Sequence, residues 1–267
     1  MFVLFALAYS RKEIVLAENH RLQAIRDMAR RDGKVSTDSI AQAFDVTVQT
    51  ARRDLTKLCA NGQLTRVYGG AVLPSGTRNI RYTDRQTLNA SSKIRMARAA
   101  AKMIPDGASV FLDIGTTLEA VAHQIHDRKS LVVITNNLHV ANILSTARDI
   151  EVVLAGGILR ATDGGLVGDV TAEFVRHFRP DIAFLGASAL SDDGDALDFD
   201  FREVRVAQAV MRLARRSVLL ADQSKFARSA PVRIGKIAEY DGFISDAPLS
   251  AELNEQCKLE NCEVTTV

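Results

Sequence analysis

The chain has 267 residues, 47% apolar and 25% charged, with 34 basic and 32 acidic side chains and a formal net charge of +2. Those proportions exclude a collagen-like repeat, bulk disorder and a coiled-coil rod, and the length allows one large domain or two unequal ones. The three cysteines, Cys59, Cys257 and Cys262, include no CxxC pair, so they supply neither a disulfide framework nor a four-ligand zinc site and point to a reduced, cytoplasmic protein.

Met1–Tyr9 is apolar but short of the about 20 residues that a membrane helix needs. Its charges, Arg11 and Lys12, follow the apolar run instead of preceding it as in a signal peptide. Residues 1–17 are therefore read as an extension, with a short membrane-touching segment as the other reading. From His20 the apolar positions Leu22, Ile25, Met28 and Ala29 recur at helical spacing up to Asp32-Gly33, where glycine permits a left-handed C-terminal residue. A second helix takes Ser36 or Thr37 as its cap and buries Ile40, Ala41 and Phe44. A third is capped by Thr47, turns Ala51, Leu55 and Leu58 inward, runs to Ala60 and stops at Asn61-Gly62. The alternation from Leu64 to Gly70 predicts a short hairpin. Three helices and a β wing thus form a unit over residues 18–73.

Gln49, Thr50, Arg52, Arg53 and Lys57 fall off the buried stripe of the third helix. In a helix-turn-helix the second helix of the pair enters the major groove with its N-terminal half on base edges. Gln pairs with adenine and Arg with guanine through two hydrogen bonds each. Lys57 and the wing residue Arg66 suit phosphates, which position without reading sequence. Ser36 and Thr47 complete the candidate DNA-binding set. The bland alternative is that Arg52 and Arg53 solvate a surface helix, paired with Asp54 or Asp45. Taken together, Val35-Ser36-Thr37, Phe44-x-Val46, Gln49-Thr50-x-Arg52-Arg53-Asp54-Leu55, Gly62-x-Leu64-x-Arg66 and Gly69-Gly70-Ala71 resemble the winged helix-turn-helix of DeoR-type bacterial transcriptional regulators. The resemblance departs at Ala51, where a larger aliphatic residue is usual and whose small size predicts looser packing, and at Tyr68, where histidine is frequent.

Pro74-Ser75-Gly76 breaks the composition and marks a linker over 74–90. From 91 to 267, short apolar runs (Val110–Leu112, Leu131–Ile134, Val152–Leu154, Ile182–Leu185, Val218–Leu220, Phe243-Ile244) alternate with amphipathic segments. Such runs are parallel strands covered on both faces. The fold class is therefore α/β, a winged helix-turn-helix followed by a larger, mostly parallel α/β domain.

Phe111 to Leu118 reads as a strand, a small-residue turn with Gly115, Thr116 and Thr117, and a helix start. Backbone N–H groups and the positive helix end collect an anion in such a turn. A tight turn with Thr116 or Thr117 as the cap is the alternative. The GxxxxGK[ST] spacing of a triphosphate loop is absent. Asn136-Asn137, Gly156-Gly157 and Gly186-x-Ser188 follow later strands, on the edge where an open parallel sheet binds ligands. Asp222-x-Ser224-Lys225 follows another, with a lysine suited to a phosphate.

Asp113 to Thr117, Thr135-Asn136-Asn137, Leu154-Ala155-Gly156-Gly157, Gly164-Gly165-x-x-Gly168, Gly186-Ala187-Ser188 and Asp222-x-Ser224-Lys225-Phe226 extend the resemblance to the DeoR-type effector domain, which is similar in fold to ribose-5-phosphate isomerase. The resemblance implies a repressor that binds double-stranded operator DNA and senses a phosphorylated sugar or polyol. Asp198-Phe199-Asp200-Phe201-x-Glu203-Val204-Arg205 and Asp163-Gly164-Gly165 look most like the branch that answers to glycerol 3-phosphate, with Asp198 where glutamate is usual. The candidate effector-binding set is Asp113, Gly115, Thr116, Thr117, Asn136, Asn137, Gly156, Gly157, Gly168, Ser188, Glu203 and Lys225.

No metal, cofactor or catalytic residue is assigned. The acidic turn Asp192-Asp193-Gly194-Asp195 lacks calcium-loop spacing, and His123 and His126 share a helix face without a third ligand. Two other functions stay open: an isomerase-like enzyme with a DNA-binding head, needing a carboxylate base such as Asp113 or Glu203, and a DNA-binding protein whose large domain only oligomerises. Charge separates the two parts. Residues 18–73 carry nine basic and six acidic side chains, a balance of +3, and residues 74–267 carry 23 and 25, a balance of −2. A head of +3 neutralises few phosphates, so useful affinity requires paired heads in a homo-oligomer, dimer or tetramer.

Overall fold

The computed structural model describes residues 19–29, 31–32, 34–61, 63–67, 69–72 and 79–267. The N-terminal extension, the helix stops at Gly33 and Gly62, Tyr68 and the hinge Pro74–Gly76 lie outside these residues. The chain divides into two compact units, Met1–Ser75 and Gly76–Val267.

In the first unit, helix α1 covers residues 19–29, followed by β1 (Lys34–Ser36), α2 (Thr37–Ala43), α3 (Val48–Ala60), β2 (Thr65–Val67) and β3 (Gly70–Val72). Both expected hydroxyl caps are in place. Ser36 Oγ accepts from Ser39 N at 2.9 Å while Ser39 Oγ accepts from Ser36 N at 3.1 Å, and Thr47 Oγ1 accepts from Thr50 N at 3.2 Å. These bonds satisfy donors that a helix start leaves open. Ile25, Ala29, Val35, Ile40, Ala51, Leu55, Leu58, Leu64 and Ala71 form the core. Ala51 is fully buried in it.

The wing is larger than a hairpin. β1 pairs antiparallel with β3, which pairs with β2, giving the order β1-β3-β2. A Cβ at Gly70 would stand 2.0 Å from the Val35 carbonyl oxygen, so only glycine allows this pairing. Gly70→Ala is expected to destabilise the head by about 1–3 kcal/mol, the usual cost of overpacking. A lowered first transition in thermal unfolding of the full chain, with the second unit's transition unmoved, is the expected result.

The second unit begins with α4 (Tyr82–Thr87) and α5 (Ala90–Lys102), then β4 (Ser109–Leu112), α6 (Thr116–Ile125), β5 (Leu131–Thr135), α7 (Leu138–Leu144) and β6 (Ile150–Leu154). A two-stranded arm, β7 (Ile158–Arg160) and β8 (Gly165–Val167), precedes α8 (Asp169–Val175), β9 (Ile182–Gly186), β10 (Ala189–Leu190), β11 (Asp195–Asp198) and α9 (Phe201–Leu213). The chain closes with β12 (Ser217–Leu220), β13 (Val232–Lys236), β14 (Gly242–Ser245), α10 (Ala251–Leu259) and β15 (Glu263–Thr266). Seven strands form one wholly parallel sheet in the order β15-β14-β12-β9-β4-β5-β6.

Its two faces bury separate clusters. Met96, Leu118, Val121, Val140 and Leu144 of α5, α6 and α7 pack on one side. Ala172, Val175, Val204, Ala207 and Val210 of α8 and α9, with Cys257 of α10, pack on the other. From β4 the chain proceeds outward to β5 and β6 and then returns to β9, β12, β14 and β15 on the other side. The order reverses between β4 and β9, and a crevice opens there beyond the strand ends, where open α/β sheets bind ligands.

Residues 79–90, expected as linker, belong structurally to this second unit. Asn79 Nδ2 donates to Ser188 Oγ at 2.8 Å, the Tyr82 hydroxyl donates to Glu119 at 2.9 Å, and the Tyr82 ring stacks on His139 at 4.6 Å. The tethering of α4 is polar and aromatic, since none of its residues is fully buried. That is why it leaves no apolar periodicity in the sequence.

Candidate functional site

In the head, the exposed face of α3 presents Gln49, Arg52, Arg53 and Lys57 opposite the buried Ala51, Asp54, Leu55 and Leu58. Asp54, 1% exposed, receives Arg21 Nε at 2.6 Å and is committed inward. The alternative pairing of Arg52 or Arg53 with Asp54 is therefore not the one adopted, and neither guanidinium has an ion-pair partner among the described residues. Thr50 bonds its hydroxyl to Thr47 at 3.0 Å beside the helix start, Ser36 caps α2, and Arg66 is exposed on β2.

In the second unit, a pocket occupies the crevice at the sheet's switch point. Gly115 to Leu118 at the start of α6, Gly186 to Ser188 after β9, and Asp222, Lys225 and Arg228 after β12 line it, with Arg85, Lys93, Asp198 and Glu203. Gly115 takes φ of +138°, a conformation favourable only to glycine, and its helix has no side-chain cap. The threonines thus do not cap: Thr116 Oγ1 donates to the Arg85 carbonyl at 3.3 Å, and Thr117 is buried in the lining.

Two kinds of charge meet here. Arg85, Lys93, Lys225 and Arg228 converge, with Asp222 as the acidic residue among them. Burial, then the charge of Arg228, pushes Lys225 down to about 7. Burial pushes Lys93 down to about 8, and its ammonium donates to the Arg85 carbonyl. Burial also lowers Arg228. At Asp222 burial pushes upward but is outweighed by Lys225, Ser224, Arg228 and Asn89, which hold the carboxylate below its ordinary range. Cations gathered this closely disfavour one another's charged forms, and an anion among them would offset that.

The pocket also carries acids. Asp198 and Glu203, 6% and 9% exposed, line it, with Asp113, 2% exposed, behind. Burial raises all three carboxyls, Asp113 to about 7. Arg160 on the arm donates to Glu203 at 2.6 Å, to Asp163 at 2.8 Å and to Asp200 at 3.0 Å, and Arg85 donates to Asp163 at 3.0 Å. The arm thereby ties α4 to the start of α9.

Of the residues expected at the site, Gly115, Thr116, Thr117, Ser188, Glu203 and Lys225 line the pocket. Asp113 sits just behind it, receiving a side-chain hydrogen bond from Asn136. Asn136, Asn137, Gly156, Gly157 and Gly168 do not line it. Asn137 Oδ1 caps α7, accepting from His139 N at 2.9 Å, and Gly168 begins α8. A Cβ at Gly157 would meet Thr171 Oγ1 at 1.9 Å, and the same hydroxyl donates to the Gly156 carbonyl at 2.8 Å. Arg85, Lys93 and Arg228 escaped the sequence reading. Lys93 was the most legible of them, since it lies in phase with Met96, Ala97 and Ala100 on the buried stripe of α5.

Residues 21–77 match the DeoR-like helix-turn-helix domain, and residues 88–247 match the DeoR C terminal sensor domain. The glycerol-3-phosphate regulon repressor of Escherichia coli K12 is 41% identical over 87% of this chain and 92% of its own length. That of Haemophilus influenzae is also 41% identical, over 87% of this chain and 91% of its own. The lactose phosphotransferase system repressor of Lactococcus lactis is 33% identical over 90% and 95%. A partial overlap with ribose 5-phosphate isomerase A from Methanocaldococcus jannaschii has 19% identity, a TM-score of 0.39 and coverage of 52% of this chain and 55% of that one, too slight to bear on chemistry.

Proposed function

The chain belongs to the DeoR family, and from that premise we propose that it is a transcriptional repressor released from operator DNA by a phosphorylated polyol, glycerol 3-phosphate first and another phosphorylated sugar second. It acts as a regulator and not as the isomerase-like enzyme that the sheet domain alone left open. Among the described residues no helix is long and apolar enough to cross a membrane, and the proposed site of action is the cytoplasm. The observation that carries the reading is the gathering of Arg85, Lys93, Lys225 and Arg228 around the start of α6. The relatives' names favour glycerol 3-phosphate among phosphate esters.

In the proposed mechanism the exposed face of α3 reads the major groove, two or more heads engage together, and the ligand favours an arrangement in which they no longer fit. A ligand shifts that balance only by its difference in affinity for the two states. Fluorescence anisotropy of a labelled operator fragment, titrated with glycerol 3-phosphate and then with hexose phosphates, tests the reading. Release by glycerol 3-phosphate at the lowest concentration is expected, and an operator complex indifferent to every phosphate ester overturns it.

The lysines add a pH signature. With Lys225 near 7 and Lys93 near 8, both are largely neutral well above pH 8, and an incoming phosphate dianion draws protons onto them. Binding at pH 8 is expected to take up about one proton per site, and affinity falls as pH rises further. Toward pH 6 the lysines are already charged and uptake disappears, because a phosphate ester with a second pKa of about 6 then releases protons instead. Calorimetry in buffers of different ionisation heat measures this directly.

A further inference from the structure

Bases and acids share the lining of the pocket: Lys93, Lys225 and Arg228 on the one hand, Asp198 and Glu203 on the other, with Asp113 behind. Such a lining is costly to maintain, since burying carboxyls near one another without full compensation is unfavourable. Arg160 is shared among Glu203, Asp163 and Asp200 and cannot neutralise the group. Asp198 receives the Phe199 backbone N–H at 2.6 Å and a bond from Ser188, which leaves acceptor capacity facing the cavity. Asp113, behind the lining, is already held by the Ile114 and Gly186 backbone and by the Asn136 side chain. Buried polar groups are normally paired, and the carboxyls of Asp198 and Glu203 on the pocket lining are placed to meet the donors of a ligand.

Building on the phosphorylated-ligand reading of this pocket, we propose that Asp198 and Glu203 form a hydroxyl-reading subsite that admits a phosphate ester of a neutral polyol and rejects a ligand with a second anionic group. Hydroxyls donate to ionised carboxyl oxygens and accept from a carboxyl that keeps its proton. Burial raises both carboxyls, but Arg160 at 2.6 Å from Glu203 and the charges of Lys225 and Arg160 near Asp198 act for the ionised forms. A carboxylate or second phosphate placed there meets two buried acids with little water to screen the repulsion. Sites built around a ligand hydroxyl discriminate far more strongly than apolar pockets do. The subsite thus selects on the end of the molecule remote from its phosphate.

Glycerol 3-phosphate and 3-phosphoglycerate share a three-carbon skeleton and differ in a carbinol against a carboxylate, and inorganic phosphate probes the basic residues alone. Calorimetric titration of the full chain is expected to show 3-phosphoglycerate binding at least about 100-fold more weakly than glycerol 3-phosphate. Glu203→Gln and Asp198→Asn, which keep side-chain shape, should each narrow that ratio by about tenfold while inorganic phosphate binds within about threefold of wild type. Near-equal affinity of the unaltered protein for the two esters overturns the proposal without reference to any variant. So does a ratio unchanged in both variants, each shown by circular dichroism to be folded. If inorganic phosphate binds but the ratio is flat, the subsite alone is wrong. If nothing with a phosphate binds, the phosphorylated-ligand reading falls with it.

Discussion

Lys225→Met is expected to abolish effector release while leaving operator affinity in the absence of effector within about twofold of wild type, because Lys225 lines a pocket in the second unit and the residues proposed to face the operator belong to the first. Removing one partner of a buried charge pair costs about 2–5 kcal/mol, so effector affinity should fall on the order of 100-fold or more. Met keeps the volume and the apolar stem, which separates the loss of charge from the opening of a cavity. The variant also carries a stability signature. Lys225 titrates near 7 in the fold against 10.5 for the free side chain, so between those values the unfolded chain binds the extra proton. The stability of the unliganded wild type therefore rises as pH increases from about 7 toward 10, and the lysine's cost is fully present below that window. Lys225→Met should flatten this rise. Equal loss of operator binding and effector response would show the residue to be structural, and an unchanged pH profile would contradict its burial.

The parts of this architecture that could be read from the sequence rest on strong, local physics. Ser36 and Thr47 cap helices because their oxygens satisfy free N–H groups within three residues, and the stripes Ile25–Ala29 and Ala51–Leu55–Leu58 bury because helical spacing aligns them. The parallel sheet was legible because strands covered on both faces must be continuously apolar. What escaped depends on distance along the chain. β1 is three residues long and exists only through its pairing with β3. Helix α4 has six residues and no buried one, so nothing periodic announces it, yet it brings Arg85 to the pocket. The expectation that each glycine or asparagine turn beyond a strand faces the ligand was too generous. Asn136-Asn137 and Gly156-Gly157 follow β5 and β6, on the far side of β4 from the switch point, so they cap a helix and seat Thr171 instead. Only the strand order separates those turns from Gly186–Ser188 after β9, and strand order is a property of the whole chain.

The other large effect belongs to the head. Arg52→Ala and Arg53→Ala are each expected to weaken binding to the cognate operator, by about 1–3 kcal/mol where the arginine makes a bidentate contact to guanine. Both guanidiniums are exposed on α3 and have no ion pair to give up among the described residues, so little of their interaction with DNA is spent on breaking an internal contact. The two readouts, base and phosphate, separate by what else changes. A base-reading arginine loses discrimination between the operator, recovered by selection from randomised duplexes, and a scrambled duplex of equal length. A phosphate-binding one weakens both equally and lowers the slope of log affinity against log salt by about one. With a head of only +3, the slope per head is small to begin with, so the removal of one contact is a large fraction of it. In an oligomer that engages two half-sites, each substitution is present twice, and the loss per complex approaches double the loss per head. A double variant that keeps wild-type operator affinity and salt slope would place the DNA-reading surface elsewhere on the head. Asp54, bound inward to Arg21, supplies the control: its replacement should lower the stability of the head before it changes sequence preference.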